Sequence, residues 1–217
     1  MTTPRAGLPL PTSATNAIAA ATALVSVLVI LARAVPLASL SLGFVPASVA
    51  MPLSAPGMVI LPAWLTPLTA TLVHVDWLHL TINLVMLVYC GRMVERAIGP
   101  GLLALLYALG AYAAAAGQWL LDPNSFAPML GASGAGSAVI AAYAMLFAEQ
   151  PVPAIGPIPA RVVRIAWLAA AWIGLQTLFG FAAGLGGTAI AVGAHIGGFV
   201  AGLALARPLL LWRYRRA

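Results

Sequence analysis

Six apolar segments, at about residues 17–32, 77–97, 102–121, 134–148, 163–181 and 188–211, are separated by short stretches rich in proline, glycine and arginine. A helix needs about 20 apolar residues to cross the hydrocarbon core of a bilayer, so these segments account for most of the chain as membrane spans. Backbone polar groups must be satisfied internally in lipid, which leaves helices or a closed barrel. The alternating strands of about ten residues that would build a barrel are not seen. With 63% apolar and 6% charged residues, the chain falls far below the quarter or so of charged residues in soluble domains. The expected fold is therefore an all-α integral membrane protein, a bundle of six transmembrane helices. The fourth segment is short for a full crossing and is expected to start below the surface. The first could be read as a signal peptide, with Ala32-Arg33-Ala34 as a small-residue cleavage site. The arginine inside that site and the weakly charged stretch before it favour a retained span.

Between the first two spans, residues 36–66 hold five prolines, Pro36, Pro46, Pro52, Pro56 and Pro62, yet stay apolar. Such density breaks any long helix, and irregular backbone exposed to lipid is costly. This stretch is expected to be a loop half-sunk at the membrane surface, with Trp64 and Trp77 as interfacial anchors. The organisation is then a tail at 1–16, a six-helix domain at 17–211 and a basic tail at 212–217. All ten basic residues are arginines. Six spans bring Arg5, Arg92, Arg96, Arg161, Arg164, Arg207, Arg213, Arg215 and Arg216 to one side and leave Arg33 opposite. That bias predicts cytoplasmic termini, and with them the starts of the second, fourth and sixth spans toward the outer face. The arginines form no basic face, so nucleic acid is a poor partner. The arginine-only set and the high Ala, Gly and Pro content suit a bacterial coding bias, hence a bacterial inner membrane. Cys90 stands alone within a span and reads as a packing residue.

Chemistry-bearing residues are few. Ser133 lies between Gly131 and Gly134, where glycines permit unusual backbone and close approach. A serine at a helix start also leaves N–H groups free to meet a developing oxyanion. Gly/Ala/Ser runs are equally the ordinary packing surface of membrane helices, and taken alone the packing reading is the stronger. The chain has three histidines. His79 and Asn83 are four apart and share a helical face; polar groups within a span mark either a site or an interhelical hydrogen bond. His195 sits among Gly193/Gly197 and Gly198/Gly202, two G-x-x-x-G pairs suited to close helix packing. The fourth segment offers a small face in Gly134, Ala138 and Ala141, and if the two meet, His195 arrives beside Ser133. His74 and His79 are five apart with no carboxylate or thiol cluster near, so no metal site is expected, and no cofactor is implied. Asp76, Asp122, Glu95 and Glu149 lie at span ends, so a Ser–His pair without a carboxylate is the simplest proposal.

Together, His74-x-x-x-x-His79-x-x-x-Asn83, Gly91-x-x-x-Glu95-x-x-x-Gly99, Gly131-x-Ser133-Gly134 and Ala194-His195-x-x-Gly198-x-x-x-Gly202 resemble the rhomboid family of intramembrane serine proteases. The likeness covers about residues 64–204. It implies a six-helix core around a water-accessible cavity opening outward, with Ser133 as nucleophile and His195 as base and later acid. It further implies His79, Asn83 and the backbone N–H groups of Ser133 and Ala132 as oxyanion donors, with Gly131, Gly134, Gly198, Gly202 and His74 in support and Glu95 as a structural cap at the cytoplasmic end. Two features depart from the family. Ser137 stands where an aromatic often stacks on the catalytic histidine, and Trp64 is followed by Leu65 rather than arginine.

The implied activity is endopeptidase cleavage of single-pass transmembrane substrates, whose helix must unwind near the outer face to expose a carbonyl. A non-catalytic relative that binds transmembrane segments is the rival that Ser137 keeps open. A small transporter is a weaker one, because no inverted repeat or paired broken helices are evident.

Overall fold

The computed structural model describes residues 13–147, 152–185 and 190–215. Arg5, Glu149 and Arg216, and with them most of the expected N-terminal tail, lie outside these. All six apolar segments are helical: α1 (Ala14–Leu31), α4 (Trp77–Ile98), α5 (Pro100–Leu121), α6 (Ser133–Phe147), α7 (Ala160–Leu185) and α8 (Val192–Arg213). Among the described residues, α1, α4, α5 and α8 are long and apolar enough to cross a membrane, while α6 is shorter, at 15 residues. The chain is thus an all-helical bundle with at least these four candidate spans. The first segment starts earlier than hydropathy suggests, because Ser13 caps it by accepting from Asn16 N–H.

The packing is inside-out relative to a soluble protein. On α1 the buried positions are Thr15, Ala19, Thr22 and Ser26, spaced by four, three and four, while Leu24, Leu28 and Leu31 face outward. Large apolar side chains likewise cover the outside of α4 and α7, among them Leu78, Val85, Trp167 and Leu178. Such an apolar exterior on several helices suits a hydrocarbon surround. The interior is closed by small residues. Helix α8 lies between α5 and α6, with Gly198 seated on the Gly134 carbonyl and Gly202 on that of Ala138. A Cβ at either glycine would collide with backbone. The meeting of α6 and α8 through their glycine faces is as expected, but the other pair differs: Gly193 and Gly197 face Gly117 and Ala113 of α5. Any small-faced helix can accept a glycine pair, so the pattern alone could not distinguish α5 from α6.

The proline-rich stretch holds a short helix, α2 (Val35–Leu42), and a 3-10 turn at Pro46–Val49, and it runs into a further short helix, α3 (Thr66–Thr69). This corrects the reading of 36–66 as irregular throughout. Pro36 falls in the first turn of α2, where a missing N–H costs nothing. The remaining loop rests on protein along one side. Phe44 and Met129 exchange backbone hydrogen bonds of 3.1 and 2.7 Å, Ala47 N–H donates to Ser125, and Gly131 N–H donates to Ala70. Phe44 and Val45 are buried, whereas Met51, Val59 and Trp64 are exposed.

Three contacts establish which helix ends lie together. Glu95, near the end of α4, binds the start of α1. Arg213, at the end of α8, lies against Gly99. Arg164, near the start of α7, donates to the carbonyls of Ala144 and Met145 at the end of α6. One end of the bundle therefore collects Arg92, Arg96, Arg164 and Arg213, and the opposite end holds the starts of α4, α6 and α8.

Candidate active site

At that opposite end the chain enters α6 through Gly131, whose φ of +102° is open to glycine and strained for other residues. A side chain there would also strike the ring of His79, 2.8 Å from the Cβ position. This turn makes Ser133 the first residue of α6, half-buried at the head of the helix. Its Oγ lies 2.7 Å from His195 Nε2. The two residues are 62 positions apart in sequence and are brought together by the glycine faces of α6 and α8.

The other ring nitrogen explains how His195 is oriented. Nδ1 is 2.8 Å from Gln176 Oε1 on α7. An amide oxygen only accepts, so His195 carries its proton on Nδ1 and presents a bare Nε2 to the serine hydroxyl. Trp172, one turn earlier on α7, donates from Nε1 to the His195 carbonyl at 3.2 Å and stacks on Phe199 at 4.6 Å between ring centroids. The Ser137 hydroxyl is turned to its own helix, donating to the Ser133 carbonyl 2.7 Å away. Where an aromatic four residues after Ser133 would hold the histidine from α6, here α7 holds it from the other ring edge.

His74 is fully buried and both its nitrogens are engaged. The Ala132 N–H donates to Nε2 at 3.2 Å. Ser26 Oγ lies 2.9 Å from Nδ1 while donating its own proton to the Leu72 carbonyl, so Nδ1–H must be the donor to Ser26. Burial, followed by the neighbouring His79, pushes the His74 pKa down to about 3, with Asp76 acting the other way. The neutral ring pins the turn before Ser133. One expected donor is thereby removed from the oxyanion set: the Ala132 N–H points at His74 and is spent there. Among the described residues no acceptor takes the Ser133 N–H, which is free, as at any helix start.

His79 packs edge-on against His74 at 4.8 Å, and its buried Nδ1 has no hydrogen-bond partner. Asn83 donates one amide hydrogen to the His79 carbonyl at 2.9 Å, which leaves it one further N–H. Gly134, Gly198 and Gly202 act as close-packing positions. Glu95 lies at the far end of α4 and takes no part in this cluster. Among the described residues no group of His, Cys, Asp or Glu could hold a metal ion.

Residues 62–212 match the Rhomboid domain family. The chain belongs to the rhomboid family. Within it, 74 residues are 40% identical to "Rhomboid-like protein 11, chloroplastic" of Arabidopsis thaliana, covering 34% of this chain and 26% of that relative. The rhomboid match, together with the apolar helices, makes this a multi-pass membrane protein. The matched range holds Ser133, His195, His79, Asn83 and His74, and also Gln176, which sequence reasoning missed. Helix α1, with Ser26, lies outside it.

Proposed function

We propose that this rhomboid is an intramembrane serine endopeptidase, and the observation that carries the reading is the 2.7 Å contact of Ser133 Oγ with a bare His195 Nε2 inside an apolar bundle. In this reading His195 Nε2 accepts the Ser133 proton as Oγ attacks a peptide carbonyl. The tetrahedral oxyanion is met by the free Ser133 N–H, with the His79 ring and the remaining Asn83 N–H as side-chain donors. Imidazolium then returns the proton to the departing amine. Water, deprotonated by the same nitrogen, hydrolyses the acyl-enzyme and restores Ser133. One oxyanion donor contributes about 3 kcal/mol to such a barrier.

The substrates are single-pass transmembrane proteins. A carbonyl held in i→i−4 bonds is hidden, so cleavage falls where small or helix-weakening residues allow local unwinding. The arginine bias orients all six helices as spans with cytoplasmic termini. It directs the serine end outward, in a membrane of the bacterial inner-membrane type.

Purified protein in proteoliposomes is expected to cut a single-pass test substrate near one membrane face. Ser133→Ala and His195→Ala are expected to reduce turnover by at least about 1,000-fold, and a fluorophosphonate probe should label wild type but not Ser133→Ala. A wild-type protein that binds the substrate, cuts nothing and resists the probe would end the protease reading in favour of a non-catalytic binder of transmembrane segments.

A further inference from the structure

Among the described residues of α7, Gln176 is a neutral amide in a largely apolar run that otherwise includes the hydroxyl of Thr177, and it is buried. A polar side chain inside a span costs free energy unless it is bonded, and its Oε1 is bonded to the ring of His195. From this contact we infer that Gln176 is the positioning residue of the Ser133–His195 pair. It fixes the imidazole in the Nδ1–H form and aims Nε2 at the serine, the task left vacant by Ser137. The inference rests on the protease reading for its kinetic consequences, though not for its structural one.

The geometry carries the argument. Neutral imidazole has two tautomers, and only the one with Nε2 unprotonated can accept from Ser133. Without Gln176, Nδ1–H would be a buried donor with no acceptor, an unfavourable state. That penalty would favour the other tautomer or a rotated ring. Neither one can take the serine proton. Trp172 fixes the backbone at His195 but does not select between nitrogens. The remaining groups facing His195 do not substitute. Ser133 of α6 meets the opposite nitrogen, and Gln118 of α5 is engaged with Ala194 N–H. Among the described residues, His79 of α4 is the titratable side chain whose charge acts on His195.

Two variants and one spectrum test this in the full-length protein. Gln176→Leu removes the acceptor at similar bulk and is expected to lower kcat roughly tenfold to a hundredfold, with KM within about twofold. Gln176→Glu keeps the shape and offers a carboxylate to Nδ1–H. It should retain turnover above Leu and move the acidic limb of the rate profile to higher pH by about one unit, as a facing anion favours imidazolium. A purely structural role for Gln176 would leave the His195 tautomer unchanged. The 15N spectrum of His195 reads the tautomer without any substrate: wild type should show one Nδ1–H form, and Gln176→Leu a mixture. Identical 15N spectra in wild type and Gln176→Leu, or unchanged kcat and pH profile in Leu beside an inactive Ser133→Ala, would overturn the inference. A wild type with the single tautomer but no cleavage and no probe labelling would instead defeat the protease reading and leave the assignment of Gln176 standing.

Discussion

His74 shows what a single buried imidazole contributes. Its ring accepts from Ala132 and donates to Ser26, and both bonds require the neutral form. The folded pKa of about 3 lies below the ordinary 6.5, so between these values the unfolded chain holds a proton that the folded chain lacks. Stability from this group is therefore complete above about pH 6.5 and is lost as pH falls toward 3, with a slope of about 1.4 kcal/mol per pH unit. Wild type in detergent is expected to lose thermal stability over that window more steeply than His74→Phe; parallel curves would refute the assignment. The pairing of Ser133 with His195 was legible in the sequence because each sits in a short local pattern. Gln176 was not, because nothing local links it to His195, 19 residues away. The available signal was physical: a lone amide in an apolar helix has to find a partner.

Among the elements, α1 shows how a helix is held in the bundle from outside itself. Its first turn has N–H groups without intrahelical acceptors, and the Glu95 carboxylate takes Ala14 N–H at 3.1 Å, Thr15 N–H at 2.9 Å and the hydroxyls of Ser13 and Thr15. Gly91, one turn before, leaves room for the Thr15 side chain. Glu95 was expected to be a structural cap at the cytoplasmic end. The helix it caps is α1, some 80 residues earlier, a pairing no local pattern encodes. Charge-assisted bonds to backbone N–H are the stronger kind, and loss of a helix cap costs about 1–2 kcal/mol. Glu95→Ala is expected to lower the melting temperature and to speed hydrogen exchange at residues 14–17, with Glu95→Gln intermediate. Exchange that is unchanged there would show that α1 is held by other contacts. The short α2 was missed for a different reason: proline was weighed as a breaker when its position in a first turn made it compatible.

For the whole molecule, the bundle depends on backbones that touch. Gly202 has Ala138 Cα and Ala141 Cβ each 2.7 Å from its Cβ position, so Gly202→Val must push α8 off α6. We expect overpacking of about 1–3 kcal/mol and a Ser133–His195 contact opened enough to suppress fluorophosphonate labelling. Normal labelling and melting would mean the helices tolerate separation. The helical state of the apolar segments, their order and the α6–α8 meeting were legible because membrane helices advertise themselves by hydropathy and small-residue spacing. The placement of Gly193 and Gly197 on α5 was not.

The chain of bonds from Ser26 through His74 to Ala132 has a consequence for where this protein can be divided. The family match opens at residue 62, yet the turn presenting the serine is braced by a helix that ends before it, and Glu95 grips that same helix at its other extremity. Cutting at the boundary of recognisable kinship would preserve every diagnostic residue and sever both struts, so the portion that identifies this protein is smaller than the portion that has to move as one piece.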